Sequence, residues 1–137
     1  MLDHLRQFLL EMGAGFSFVG SQYHLEVGGK DFYLDLLFYH LTLRCFVVVD
    51  LKMADFEPAY AGQTNFYLSA VDDLLRHPTD QPTVGILLCK SKNRIVVEYA
   101  LRDLAKPLGV ADFHLRQALP DTLQSTLPII ATLEAEL

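Results

Sequence analysis

Basic residues are in short supply in this chain. Eleven Lys and Arg stand against 17 Asp and Glu in 137 residues, a formal net charge of −6 and a pI near 5.2. That is the wrong sign for a dedicated nucleic-acid binder. Chemistry on phosphates would need its positive charge from a bound metal, a local basic patch or a basic partner domain. Cysteine is scarce as well. Cys45 and Cys89 both lie in apolar, strand-like runs and read as buried core thiols, which argues against disulfide or zinc roles. No Gly-rich phosphate loop, internal repeat or nucleophile elbow is present, and Ser17, Ser21 and Ser69 have no recognisable base partner, so catalytic serine chemistry is not expected. The apolar runs are far too short to span a bilayer and no signal-peptide pattern is visible. The expectation is a soluble cytoplasmic protein with no membrane partner.

What is abundant is apolar sequence. At 51% hydrophobic residues, a chain of this length fits one domain, 1–137, with a substantial core. Leu2, Leu5, Phe8, Leu9 and Met12 repeat at helical spacing, and Gly13-Ala14-Gly15 stops that helix. Phe16 to Val19 begins an extended segment, Gln22 to Val27 alternates polar and apolar, and Gly28-Gly29 turns the chain into a second strand, with Asp31 assigned to the turn. Met53 to Pro58 reads as a loop, and Pro58 suits the first turn of a helix over Ala59 to Arg76. Thr83 to Cys89 reads as a strand buried on both faces. A helix marked by Val97, Ala100, Leu101 and Leu104 follows, with Ser91 or Asn93 as its cap. A strand from Gly109 to Leu115, including His114, and a final helix opened by Thr126-Leu127-Pro128 complete the chain.

The chemistry concentrates between Asp31 and Lys52, DFYLDLLFYHLTLRCFVVVDLK. Side chains alternate along a strand, so Asp50 and Lys52 face one side. A hairpin centred between Thr42 and Leu43 sets Asp35 opposite Asp50. Two carboxylates and an ammonium then converge at the rim of an apolar sheet, where charge is costly unless paired, and a divalent cation would pair it. The plainer readings are a surface ion pair for Asp50 and Lys52, and a loop cap for Asp35. With a two-residue turn at Gly28-Gly29, Gln22 stands across from Asp35; with a four-residue turn, His24 does. His24 and Glu26 are therefore possible assistants, or simply residues of a solvated strand face. His40 reads as a satisfied structural histidine. Lys90, Lys92 and Arg94, in a short basic loop after a strand, are the local phosphate-binding candidates, with a solvated loop as the ordinary alternative.

The blocks DFYLDLLFYH, VVVDLK, EPAYAGQTNFYL and LLCKSKNRIVVEYAL, with the closing PxxLxxxLP stretch, resemble the YhcG-type PDDEXK nuclease domain of bacteria, in order and over roughly Arg6 to Leu137. The resemblance implies a restriction-endonuclease-like α/β fold, a mixed central sheet flanked by helices, and metal-dependent cleavage of nucleic acid. It implies Asp35 as the aspartate of the PD half-motif, and Asp50 and Lys52 as the (D/E)xK half. Two departures stand out: Leu34 precedes Asp35 where the family has proline, and Asp50 replaces the more usual glutamate. Related nucleases supply a metal-binding glutamate from the first helix, which makes Glu11 a candidate ligand. They place a glutamine or lysine on the helix after the (D/E)xK strand, which points to Gln63, with Tyr67 behind it. The family carries a further domain upstream, so the chain is expected to be the C-terminal part of a longer protein.

The leading expectation is a Mg²⁺- or Mn²⁺-dependent endonuclease acting on DNA as a homodimer. Asp35, Asp50, Lys52 and Gln63 are the candidate catalytic residues, Asp35, Asp50 and Glu11 the metal ligands, and Lys90, Lys92, Arg94 and Tyr67 the nucleic-acid contacts. The alternatives are a catalytically weak or inactive nuclease-fold module serving protein–protein interaction or dimerisation, and a nuclease directed at RNA.

Overall fold

The computed structural model describes residues 15–112. The expected first and last helices, Glu11 and His114 lie outside those residues. Within them the chain forms β1 (Phe16–Val27), β2 (Lys30–His40), β3 (Cys45–Asp55), α1 (Pro58–Leu74), β4 (Val84–Ser91), α2 (Arg94–Leu101) and β5 (Leu108–Asp112). The strands make one sheet in the order β1-β2-β3-β4-β5. The first three are antiparallel neighbours, while β3, β4 and β5 run parallel. This is the expected mixed α/β architecture.

Local sequence explains the connections. Gly28 and Gly29 both have positive φ, 59° and 78°, and join Val27 to Lys30 in a two-residue turn, the backbone that glycine adopts most readily. Asp31 is therefore on β2, paired with Glu26, and not in the turn. Parallel strands need a crossover, and α1 and α2 supply the two required. Pro58 opens α1, where its missing N–H costs nothing. Asn93 caps α2, its side chain accepting from the Ile95 and Val96 amides at 3.0 and 3.3 Å. The loop expected from Met53 is shorter than its composition suggests. β3 continues to Asp55, which pairs with Ser91 after a register shift, and the Phe56 amide donates to the Ser91 carbonyl at 2.8 Å.

The sheet is buried on both faces. Leu36, Phe38, Cys45, Val47, Val49, Ile86 and Leu88 form one apolar cluster. A larger one on the α1 side includes Leu34, Leu37, Val48, Leu68, Val71, Leu87 and Val110. Cys45 and Cys89 are buried free thiols, and burial raises the Cys45 thiol to about 11. On α1 the buried residues Ala61, Thr64, Leu68 and Val71 follow three- and four-residue steps, so they form one stripe. Gly85 lets that stripe press against β4: a Cβ there would lie 3.1 Å from Thr64 Cγ2, 3.2 Å from Leu68 Cδ1 and 2.8 Å from Leu108 Cδ1. Asp72 pins the other end of α1, accepting from the Thr83 amide at 3.0 Å, the Thr83 hydroxyl at 2.7 Å and Lys106 Nζ at 2.9 Å. Helix and sheet are thereby held in one register, which fixes what α1 presents to β3.

Candidate active site

The β2–β3 ladder runs from His40↔Cys45 to Leu36↔Val49. The next step in that register pairs Asp35 with Asp50, and there the backbone ladder stops. In its place the Leu51 amide donates to Asp35 Oδ2 at 2.8 Å. The other oxygen, Oδ1, accepts from Gln22 Nε2 at 3.2 Å. Asp35 thus does cap backbone, but where the β2–β3 ladder ends beside Asp50, so that capping and a role at the site are compatible.

Strand alternation carries Asp50 and Lys52 to the face that α1 covers. Lys52 Nζ lies 4.0 Å from Asp50 Oδ1 and donates to Gln63 Oε1 at 2.8 Å. It also stands 5.2 Å from the centre of the Tyr60 ring, within range of a cation–π attraction. The ammonium is thus held by two α1 side chains one helical turn apart. Thr64 Oγ1 donates to Asp50 Oδ2 at 3.1 Å. Tyr67 lies behind Gln63 and is only 8% exposed. Burial first, then the Asp50 and Asp35 carboxylates, push its phenol above the ordinary value, so it is an O–H donor at neutral pH.

Electrostatics single out Asp50. It is 4% exposed, and its carboxyl is raised to about 7, by burial above all and next by hydrogen bonding with the adjacent Asp35 and repulsion from its charge. Lys52 and Thr64 pull the other way without prevailing. A second carboxylate crowded against buried Asp50 disfavours its ionisation, the usual result of crowding like charges. The donor set, hard carboxylate oxygens carrying more negative charge than the site can hold unaided, fits a divalent cation. Among the described residues no third His, Cys, Asp or Glu joins them.

The other candidates lie elsewhere. His24 Nε2 contacts Asp31 Oδ1 at 2.7 Å on the exposed β1–β2 surface, so His24 is turned to the hairpin tip, and Glu26 is exposed on the same hairpin. His40 is fully buried, with Nδ1 accepting from the Leu43 amide at 3.0 Å. Lys90 and Arg94 are exposed beyond the last buried residue of β4. Lys92 Nζ donates to the Val110 carbonyl at 3.4 Å, which directs it toward β5. The sequence reading missed Thr64. The available signal was a hydroxyl within the apolar stripe of α1, where a polar atom needs a partner.

A strand-borne aspartate, an Asp-x-Lys on the next strand and a glutamine on the following helix are thus gathered where β2 and β3 part, on a restriction-endonuclease-like fold. Solved structures agree on the fold. EndoMS in complex with double-stranded DNA superposes with a TM-score of 0.55 at 15% identity, over 80% of this chain and 44% of that one. A repair endonuclease from Pyrococcus abyssi gives 0.53 at 14% identity, over 80% and 45%. The family model described as YhcG PDDEXK nuclease domain matches residues 1–128. The Escherichia coli (strain K12) protein named "Putative nuclease YhcG" is 37% identical over 121 residues, 88% of this chain and 32% of that protein. The chain belongs to the YhcG PDDEXK nuclease domain family. It spans about a third of the length of that curated relative. Nucleases of the PDDEXK type generally use divalent metals.

Proposed function

We propose that this domain is a metal-dependent endonuclease hydrolysing DNA phosphodiester bonds. The observation that carries the reading is the convergence of Asp35, Asp50 and Lys52, with Gln63 bonded to Lys52. Asp35 and Asp50 would hold Mg²⁺ or Mn²⁺, with Glu11 as a further ligand. A bound divalent cation supplies polarisation of the phosphate and a lowered pKa for attacking water. Lys52, fixed by Gln63 and Tyr60, orients the nucleophile and offsets negative charge that develops on phosphorus-bound oxygens in the transition state. Gln63 sets the direction of that ammonium, with the Tyr67 hydroxyl behind it. Lys90, Lys92 and Arg94 give the acidic chain a local positive segment for the nucleic-acid backbone.

The fold neighbour solved with double-stranded DNA supports DNA over RNA by analogy of fold. The same reading places the domain in the cytoplasm, paired with a second copy so that both strands are cut, and beside an upstream domain that adds positive charge. None of the described helices is long and apolar enough to cross a membrane.

Calorimetric titration with Mg²⁺ and with Mn²⁺, wild type beside Asp50→Ala, tests the metal site, alone and with a short duplex present. Binding by the wild type that disappears in the variant is expected. A folded wild type that binds neither ion under either condition would replace this reading with a non-catalytic interaction module, which the acidic pI and the aspartate in place of glutamate favour.

A further inference from the structure

We propose that Gln22 is a positioning residue of the carboxylate site, its side-chain amide fixing Asp35 from the strand opposite Lys52. The inference rests on the nuclease reading above and assigns a role to a strand outside the two half-motifs. Three observations carry it. Gln22 Nε2 donates to Asp35 Oδ1 while the Leu51 amide holds Oδ2. The carboxylate is thereby gripped from β1 on one side and β3 on the other, and its rotation is fixed; Leu51 alone would leave one oxygen to swing. The second observation is register. From Phe16↔His40 to Phe18↔Phe38, β1 and β2 pair so that Ser21 would come to stand across from Asp35. A one-residue shift between Phe18 and Gly20 puts the ladder into the frame of Ser21↔Leu36 and Tyr23↔Leu34, which brings Gln22 to that place. A serine there carries a hydroxyl too short to make this contact. The third is backbone conformation. Gln22 has φ of 47°, the left-handed region in which non-glycine residues are disfavoured. Such conformations cluster at functional sites.

Gln22 is exposed, so its hydrogen bond adds little to folding, and a role confined to stability is a poor explanation for a strained residue. Residues that orient metal-holding carboxylates typically alter affinity by tenfold or more when removed. The test is Mn²⁺ calorimetry on wild type, Gln22→Gly and Gln22→Asn, with thermal unfolding of each metal-free protein. Both replacements tolerate positive φ; glycine removes the amide and asparagine withdraws it by one methylene. The expected result is a Mn²⁺ Kd raised about tenfold in both, with Tm no lower than wild type. Wild-type affinity in both variants, while Asp50→Ala has lost binding, would overturn the role of Gln22 and leave the nuclease reading standing. Weaker binding that accompanies a lowered Tm would make Gln22 a residue of the fold and overturn it too. A wild type that binds no Mn²⁺, with or without duplex, would overturn the metal site itself and this inference with it.

Discussion

Asp50→Asn should make the metal-free protein more stable at pH 8. In the folded chain the Asp50 carboxyl is raised from 3.8 to about 7, by burial first and then by Asp35. Between about pH 4 and pH 7 the native state keeps a proton that the unfolded chain has released, so stability falls as pH rises through that window and stays low above it. A difference of about 3 units at 1.36 kcal/mol each amounts to as much as about 4 kcal/mol at pH 8. Local relaxation around the pair brings the expected gain to about 2–4 kcal/mol. Asparagine has nearly the shape of the protonated acid; it keeps an oxygen for Thr64 and offers an N–H to Asp35. Urea unfolding in EDTA measures the effect, with wild type and variant compared at pH 8 and pH 5. At pH 5, only about 1 unit above the unfolded value, little of that penalty has accumulated, and the gain should shrink to about 1–2 kcal/mol. A variant no more stable than wild type at pH 8, or a gain independent of pH, would refute the crowded-carboxylate account. Adding Mn²⁺ should stabilise the wild type and leave Asp50→Asn nearly unchanged, because binding to the native state alone shifts the unfolding equilibrium.

Two further perturbations probe the scaffold. Gly85→Ala inserts a methyl against Thr64, Leu68 and Leu108, and should cost about 1–3 kcal/mol in urea unfolding while weakening Mn²⁺ binding by displacing Thr64 from Asp50. Asp72→Ala removes the acceptor for the Thr83 amide and hydroxyl and for Lys106, a loss of about 1–3 kcal/mol at pH 7. Burial alone would raise the Asp72 carboxyl, but Lys106 and Thr83 outweigh it and hold it below its ordinary value. Its contribution is therefore present above the usual carboxylate range and fades as pH falls through the lowered value, so variant and wild type should converge in strong acid.

Much of this site could be read before the structure because its logic is periodic. A hairpin centre between Thr42 and Leu43 is enough to oppose Asp35 and Asp50, and the observed pairs His40↔Cys45 and Leu36↔Val49 keep that frame. The two-residue choice at Gly28-Gly29 places Gln22 across from Asp35, a pairing whose hydrogen bond the structure supplies. Other features depend on contacts between segments distant in sequence. Nothing local to Met53–Asp55 extends β3; the parallel partner Ser91 does, 36 residues on. Thr64 matters because Gly85 lets α1 approach, and no window of sequence contains both. Alternation of polar and apolar residues reveals neither the register shift between Phe18 and Gly20 nor the positive φ at Gln22. His24 went the other way: Asp31, diagonally across the hairpin, claims it.

Cleavage itself is the most direct test of the central claim. An end-labelled DNA duplex is incubated with wild type or Lys52→Ala in Mg²⁺, in Mn²⁺ and in EDTA, and the products are resolved by length. The account predicts cuts by the wild type that need the metal and vanish in the variant, with both proteins giving the same circular dichroism spectrum. Equal cleavage by Lys52→Ala, or cleavage by the wild type that persists in EDTA, would contradict it.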